Sequence, residues 1–324
     1  MLKMKKSTLI ILIVAGSLTL LGALILGIGM KFVFSDFRSS DPELSKMTYD
    51  VEETFDNISV NIHTAEISVI ATDEQKVTVT TVGETEKLKY SVQVKDGTLC
   101  IDVIDTRAWY DHINIFSAER RISIYLPKGE YSTLTVKTNT GDVSVHDDLS
   151  FESADVKSNT GDILWATDTK GELKFKTDTG DIKIENSHCK SFEVLTETGD
   201  MEINNLSCNA ISITSDTGKV KLVGTRCEGN IRIQTDTGDI TLESTVSVGN
   251  MDITASTGDV RFNGCDADEI YVTTSTGDVM GNLLSDKIFI CESSTGDIRV
   301  PSTESGGKCK IKTSTGDISI TISK

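Results

Sequence analysis

Thr-Gly occurs ten times in this chain at a nearly fixed interval. The glycines are Gly141, Gly161, Gly180, Gly199, Gly218, Gly238, Gly258, Gly277, Gly296 and Gly316, and every step between them is 19 or 20 residues. A period near 20, kept through ten copies, marks stacked structural units that cannot bury an apolar face alone. Seven and five residues before the glycine the chain is mostly apolar, as at Leu134 and Val136, Leu173 and Phe175, Ile211 and Ile213, and Ile231 and Ile233. Two and four residues after it the same holds, as at Val143 and Val145, Ile182 and Ile184, Val220 and Leu222, and Ile318 and Ile320. Each arm alternates with period two, so each reads as a strand with one buried face. The buried parity is odd before the glycine and even after it. A slip of one residue turns every later side chain outward unless a corner absorbs it. Glycine, free to adopt positive φ, suits that corner.

The predicted unit is therefore strand, bend, strand, connector. Successive coils pair in parallel about 4.8 Å apart, so ten coils make a rod roughly 48 Å long. This predicts an all-β fold, a β-solenoid of the parallel β-helix kind with about ten coils of 19–20 residues, preceded by one transmembrane helix. Aromatic residues are only 6% of the chain, which argues against a bulky globular core. The Thr before each glycine is expected to form a hydroxyl ladder. Cys189, Cys208 and Cys227 share one column, nine residues after their glycines, and Cys291 and Cys309 fall on apolar strand positions. A buried thiol column fits small apolar side chains, and a disulfide between neighbouring coils fits by distance.

The transmembrane expectation rests on the first residues. Lys3, Lys5 and Lys6 precede an uncharged run from Ser7 to Met30, long enough to cross a bilayer. No A-x-A-like cleavage site follows it. The basic flank predicts a cytoplasmic N-terminus with the C-terminal part outside, that is, a single-pass protein of the bacterial cell membrane. Ala15, Thr19, Ala23 and Gly27 stand at four-residue spacing and would let two such helices pack closely. The expected division is a basic cytoplasmic N-terminus (1–6), a transmembrane anchor (7–30), a polar tether (31–50), a β-rich N-terminal cap with the first coils (51–130), and the repeat solenoid (131–324). In 51–130, Thr64-Ala65-Glu66 imitates the corner, and Lys95-Asp96-Gly97 reads as a hairpin turn. The loop containing Trp109, Tyr110 and Phe116 either packs over the first coil or meets lipid or a partner.

Beyond residue 31, 28 basic residues face 49 acidic ones, within an overall charge of −17. Such a surface repels nucleic acid. Nine corners carry Asp: Asp142, Asp162, Asp181, Asp200, Asp239, Asp259, Asp278, Asp297 and Asp317, with Lys219 at the tenth. Like charges 5 Å apart in water repel by about 0.9 kcal/mol per pair, so something offsets the column. Two readings stand open. The carboxylates act as turn-formers accepting backbone N–H bonds, helped by Lys183, Arg261 and Arg299 two residues on. Or they form a cation ladder for calcium, with Asp178, Glu197, Asp216 and Asp236 adding acids nearby. The Gly-Gly-x-Gly-x-Asp turn of calcium-binding solenoids is absent. No other cofactor is expected. No catalytic set stands out: His63, His112, His146 and His188 are dispersed, and no coil has room for the long loops from which enzymes of this architecture build clefts.

Residues 122–145, "ISIYLPKGEYSTLTVKTNTGDVSV", together with the Thr-Gly-Asp repeats, resemble the putative-adhesin family of bacterial envelope proteins, over roughly residues 51–324. The resemblance implies a solenoid-like fold on the cell exterior, often behind one membrane helix, and transfers no catalytic residues. It implies a binding or adhesion module whose partners would be cell-wall glycan or an envelope protein. The association of some relatives with envelope-stress systems implies the alternative, a structural or regulatory protein acting through membrane-protein partners. The sequence closes on "ISITISK", which predicts an unpaired strand edge at the last coil. That edge and the N-terminal helix are the two expected routes to a homo-oligomer.

Overall fold

The computed structural model describes residues 45–106 and 120–323. The expected segments 1–6 and 7–30, most of the tether, and the loop holding Trp109, Tyr110 and Phe116 lie outside them. Among the described residues no helix is long and apolar enough to cross a membrane. Ser45–Val51, at the end of the stretch read as a tether, is a strand.

The repeat region is a parallel β-solenoid. Each coil, named here by its corner glycine, gives one strand to each of two 14-stranded sheets. In the Gly180 coil these are Glu172–Thr179 and Ile182–Glu185. Pairing is in register by one repeat: Phe175 lies between Val156 and Val194, and Ile182 between Ile163 and Met201. A 3-stranded sheet of Ser207–Cys208, Arg226–Cys227 and Val246–Ser247 forms another side. The alternating apolar positions point inward and are buried, Leu173, Ile184, Ile213 and Leu222 among them.

The corner explains the parity slip. All ten corner glycines have φ between 135° and 152°. A Cβ on Gly199 would lie 2.0 Å from the carbonyl oxygen of Gly180, and the other nine would meet the coil before them as closely. Glycine is thus required twice over, by dihedral and by contact. A second corner column follows six residues later, where Asn186, Asn205, Gly224, Ser244 and Gly264 have φ of 48–66°. Asn and Gly tolerate this left-handed turn best. Asn205 Nδ2 also donates to Asn186 Oδ1 at 2.9 Å.

The core is not uniformly small. Tyr131, Phe151, Trp165, Phe175 and Phe192 form a chain of rings with neighbouring centroids 5.5–6.0 Å apart. The few aromatics are gathered in the first coils, where such pairs add to plain burial. Further along, Ile, Val and Leu fill most of the same columns, with Phe262 a later exception.

At both ends the coils are stacked out of chain order. Asn57–Asn61 lies between Thr98–Asp105 and Gly129–Thr140, and Glu66–Thr72 between Arg121–Pro127 and Val143–Val145. At the other end Gly307–Thr315 is inserted between Ile270–Thr276 and Lys287–Thr295. Likewise Ile318–Ile322 lies between Val279–Leu283 and Ile298–Arg299. The expectation of an unpaired edge at "ISITISK" is therefore corrected: the Gly316 coil is interior, and the outermost coil is that of Gly296.

The ends also differ in cover. At the N-terminal end Leu88–Lys95 runs antiparallel to Thr98–Asp105, and Val77–Glu84 antiparallel to Arg121–Pro127. The hairpin turn at Asp96 and Gly97 has φ of 48° and 71°, the doubly positive geometry that two-residue hairpins favour. Among the described residues nothing comparable covers the Gly296 coil.

Candidate functional site: the acidic corner

The Thr-Gly-Asp corners line up along one edge of the solenoid. There the main chain alone leaves a gap. In every coil but the outermost, the corner Gly N–H donates to the Thr carbonyl of the next coil, and the residue two after Gly donates to the carbonyl of the next corner residue, as in Gly161 to Thr179 and Ile163 to Asp181. The Asp N–H between them finds its acceptor in a side chain. The amide of Asp162 donates to Asp142 Oδ1 at 2.9 Å, that of Asp181 to Asp162 at 2.8 Å, and that of Asp200 to Asp181 at 2.8 Å. Lys219 donates to Asp200 at 2.8 Å. The ladder resumes from Asp239 through Asp259 and Asp278, then passes to Asp317 before Asp297. It follows the spatial order of coils rather than the chain order.

This settles the energetic question for the column. A hydrogen bond to a charged group contributes roughly 1.5–3 kcal/mol, more than the repulsion of about 0.9 kcal/mol between neighbouring rungs. Cations help in part. Arg261 bridges Asp259 at 2.6 Å and Asp239 at 3.5 Å, and Arg299 pairs with Asp297 at 2.7 Å. Lys183 instead pairs with Glu185 at 2.8 Å, which raises its pKa. Among the described residues no group of three or more His, Cys, Asp or Glu side chains is placed to hold a metal ion.

Beside the first rungs lies a shallow groove of about 500 Å³. Glu66, Asp142, Asp162, Asp181 and Glu185 bring carboxylates to it, with Ser144, Leu164 and Lys183. Its rim is acidic with one cation, while most of its lining is apolar, with Val143, Ile163 and Leu164 among the wall residues; such a groove suits hydroxyl-rich or basic ligands that also present an apolar face. Sequence reasoning named its corner acids and placed Glu66 in an imitation corner, but did not bring Glu66, Ser144 or Glu185 to one site, because the groove joins the Glu66–Thr72 strand to coils that follow it by some 75 residues.

The hydroxyl and thiol columns separate on inspection. The Thr before each glycine does stack in register, but on the exposed side. A buried hydroxyl column stands three residues before the glycine: Thr138, Ser158, Thr177, Thr196, Ser215, Thr235, Thr274 and Thr313. Thr313 Oγ1 donates to the Gly277 carbonyl at 3.2 Å. Cys208 and Cys227 pair in register with Cys189 beside them, all buried and free. The hydrogen bond that the Cys208 thiol gives to Cys189 pushes it up to about 12, and a hydrogen bond to Cys208, then burial, raises Cys227 as well.

The sequence of this fold matches one family profile, Toastrack DUF4097, over residues 55–245 and 243–324. The chain belongs to the Toastrack family. The match spans both the stack with its out-of-order ends and the acidic corner. Solved structures with a similar chain path include a putative adhesin of Bacteroides fragilis, 14% identical, covering 86% of this chain and 99% of that one, TM-score 0.42. A putative adhesin of Parabacteroides merdae is 12% identical over 87% and 98%, TM-score 0.47. One from Parabacteroides distasonis is 12% identical over 86% and 98%, TM-score 0.43. Among curated proteins none matches. This Toastrack chain is thus a parallel β-solenoid of that family.

Proposed function

We propose that the chain is a membrane-anchored binding module of the bacterial envelope, its solenoid outside the cell and its apolar segment 7–30 in the membrane. The observation that carries this is the corner ladder with its groove. Nine carboxylates stand in register on a rigid edge, and Glu66, Ser144 and Lys183 add polar groups beside the first of them. Rigid polar rows at fixed spacing suit a repeating ligand, because each rung already held in place loses little entropy on binding. A cell-wall glycan has that repeating character. The corner Asp are turn-formers first: at Asp142, Asp162, Asp181 and Asp200 one carboxylate oxygen goes to the neighbouring amide and the other is left for ligand, whereas Arg261 takes the second oxygen of Asp239 and Asp259.

The test is co-sedimentation of the full chain, in mild detergent, with purified cell wall and separately with lipid vesicles, with calcium or with chelator. Saturable wall binding that weakens in Asp142→Ser/Asp162→Ser supports the reading. Binding to neither would overturn it and shift the role to protein partners in the membrane, in a structural or regulatory capacity. Loss of wall binding with chelator alone would make the ladder an ion site.

A further inference from the structure

The Gly296 coil ends the stack, and its residues are unlike those of any other coil. Ile298 occupies the core column two residues after the glycine, where Val279 and Ile318 are fully buried, yet it is 43% exposed. Phe289, Cys291 and Val300 are only partly covered along the same rim. On the outer face Ile288 and Ile290 are 40% and 49% exposed, and their register partners on the strand beneath are Lys308 and Lys310. A free edge strand ordinarily carries the lysines itself, to discourage pairing. Here Lys308 and Lys310 stand one strand inward and Ile288 and Ile290 stand on the edge.

We infer that this end face binds the same face of a second copy of the chain, making a closed tail-to-tail dimer. Three observations favour that occupant. First, the face presents two parallel strand edges, Lys287–Thr295 and Ile298–Arg299, with an uncovered core column between them. A single added strand would cover one edge and leave Ile298 and Val300 open, whereas another coil end matches both edges and the column. Second, the opposite end of a copy is closed by antiparallel strands rather than by a parallel coil, so a head-to-tail contact would not match one coil end to another. A two-fold contact closes on itself. Third, the charge is suited to it. In the last two coils Lys287, Arg299, Lys308, Lys310 and Lys312 balance Asp286, Glu292, Asp297, Glu304 and Asp317, while the whole chain carries 49 acidic residues against 32 basic. Tail-to-tail contact joins the neutral ends and keeps the acidic bodies apart, beyond most of the screening length.

The experiment is sedimentation velocity of the full chain in detergent, with hydrogen exchange on the same samples. The wild type should be dimeric at micromolar concentration, with slow exchange across Lys287–Thr295. Ile288→Glu/Ile290→Glu should weaken association at least about tenfold and expose those amides, while Leu195→Glu, on an exposed residue in mid-stack, should change neither. A conservative variant guards against misfolding: Ile290→Cys should form an interchain disulfide on mild oxidation, and Leu195→Cys should not. A dimer indifferent to the double variant overturns the inference. So does a monomer, whether its edge exchanges fast, and is simply free, or slowly, and is covered by another segment of the same chain.

Discussion

The main-chain amide of Asp162 donates to the carboxylate of Asp142 at 2.9 Å, across two coils 20 residues apart in sequence. The same bond recurs at corner after corner, so a side chain completes what the backbone ladder cannot reach. Asp162→Ala removes the acceptor for Asp181 and should cost about 1–2 kcal/mol in denaturant unfolding. Asp162→Asn keeps an oxygen in place and should cost less than half as much. Equal costs for the two would mean the carboxylate's charge, not its acceptor geometry, is what the corner needs.

Gly199→Ala should be among the most damaging single changes, since its Cβ would sit 2.0 Å from the Gly180 carbonyl at a φ of 152°. A loss of about 3 kcal/mol or more is expected, from strain plus forced separation of coils. Gly129→Ala, where a Cβ meets nothing within 4 Å, should stay within about 0.5 kcal/mol of wild type. Thermal melts of the pair make the comparison.

Trp165 is fully buried in the ring chain and its Nε1 donates to the Thr167 carbonyl at 2.7 Å. Trp165→Ala should cost about 3–5 kcal/mol, measured by urea unfolding. Ile233→Val, in the β-branched part of the core, should cost about 0.5–1.5 kcal/mol.

The thiols set an alkaline limit. Cys208 and Cys309 are held up at about 12 from the ordinary thiol value of 9.0, by the Cys189 hydrogen bond and by burial respectively. The folded state therefore keeps a proton that the unfolded chain releases between those values. The stabilisation is whole below about pH 9 and is lost as pH rises toward 12. Cys208→Ala should flatten that decline, and iodoacetamide at pH 8 should leave Cys208 and Cys309 unlabelled until the protein unfolds.

Much of this architecture is written in the repeat. The parity of Leu173, Phe175, Ile182 and Ile184 around Gly180 gives two strands and a corner, and their recurrence gives the stacking. What the repeat cannot express is which coil rests on which. Thr-Gly-Asp is the same at Gly277, Gly296 and Gly316, so any of these corners can follow any other. The crossing is legible only in the connector: Gly306 and Gly307 pass so near the Asp286 and Asp268 carbonyls that a Cβ would lie 1.8 Å and 1.7 Å from them. The Asp column was visible as a row of charges, but its partner, a main-chain N–H one coil away, has no residue type to betray it. The buried hydroxyls follow from continuing the alternation to three residues before the glycine, where Thr177 and Thr313 stand.

The order of the last coils is the claim on which the open end depends, and disulfide trapping tests it directly. Thr276 and Thr315 are register partners, as are Thr315 and Thr295. Thr276→Cys with Thr315→Cys should oxidise readily within one chain, adjacent Cα atoms being within disulfide reach. Thr276→Cys with Thr295→Cys should not, because the Gly316 coil lies between them. Rapid bridging of the second pair and none of the first would restore chain order, bury the Gly296 coil, and contradict the account.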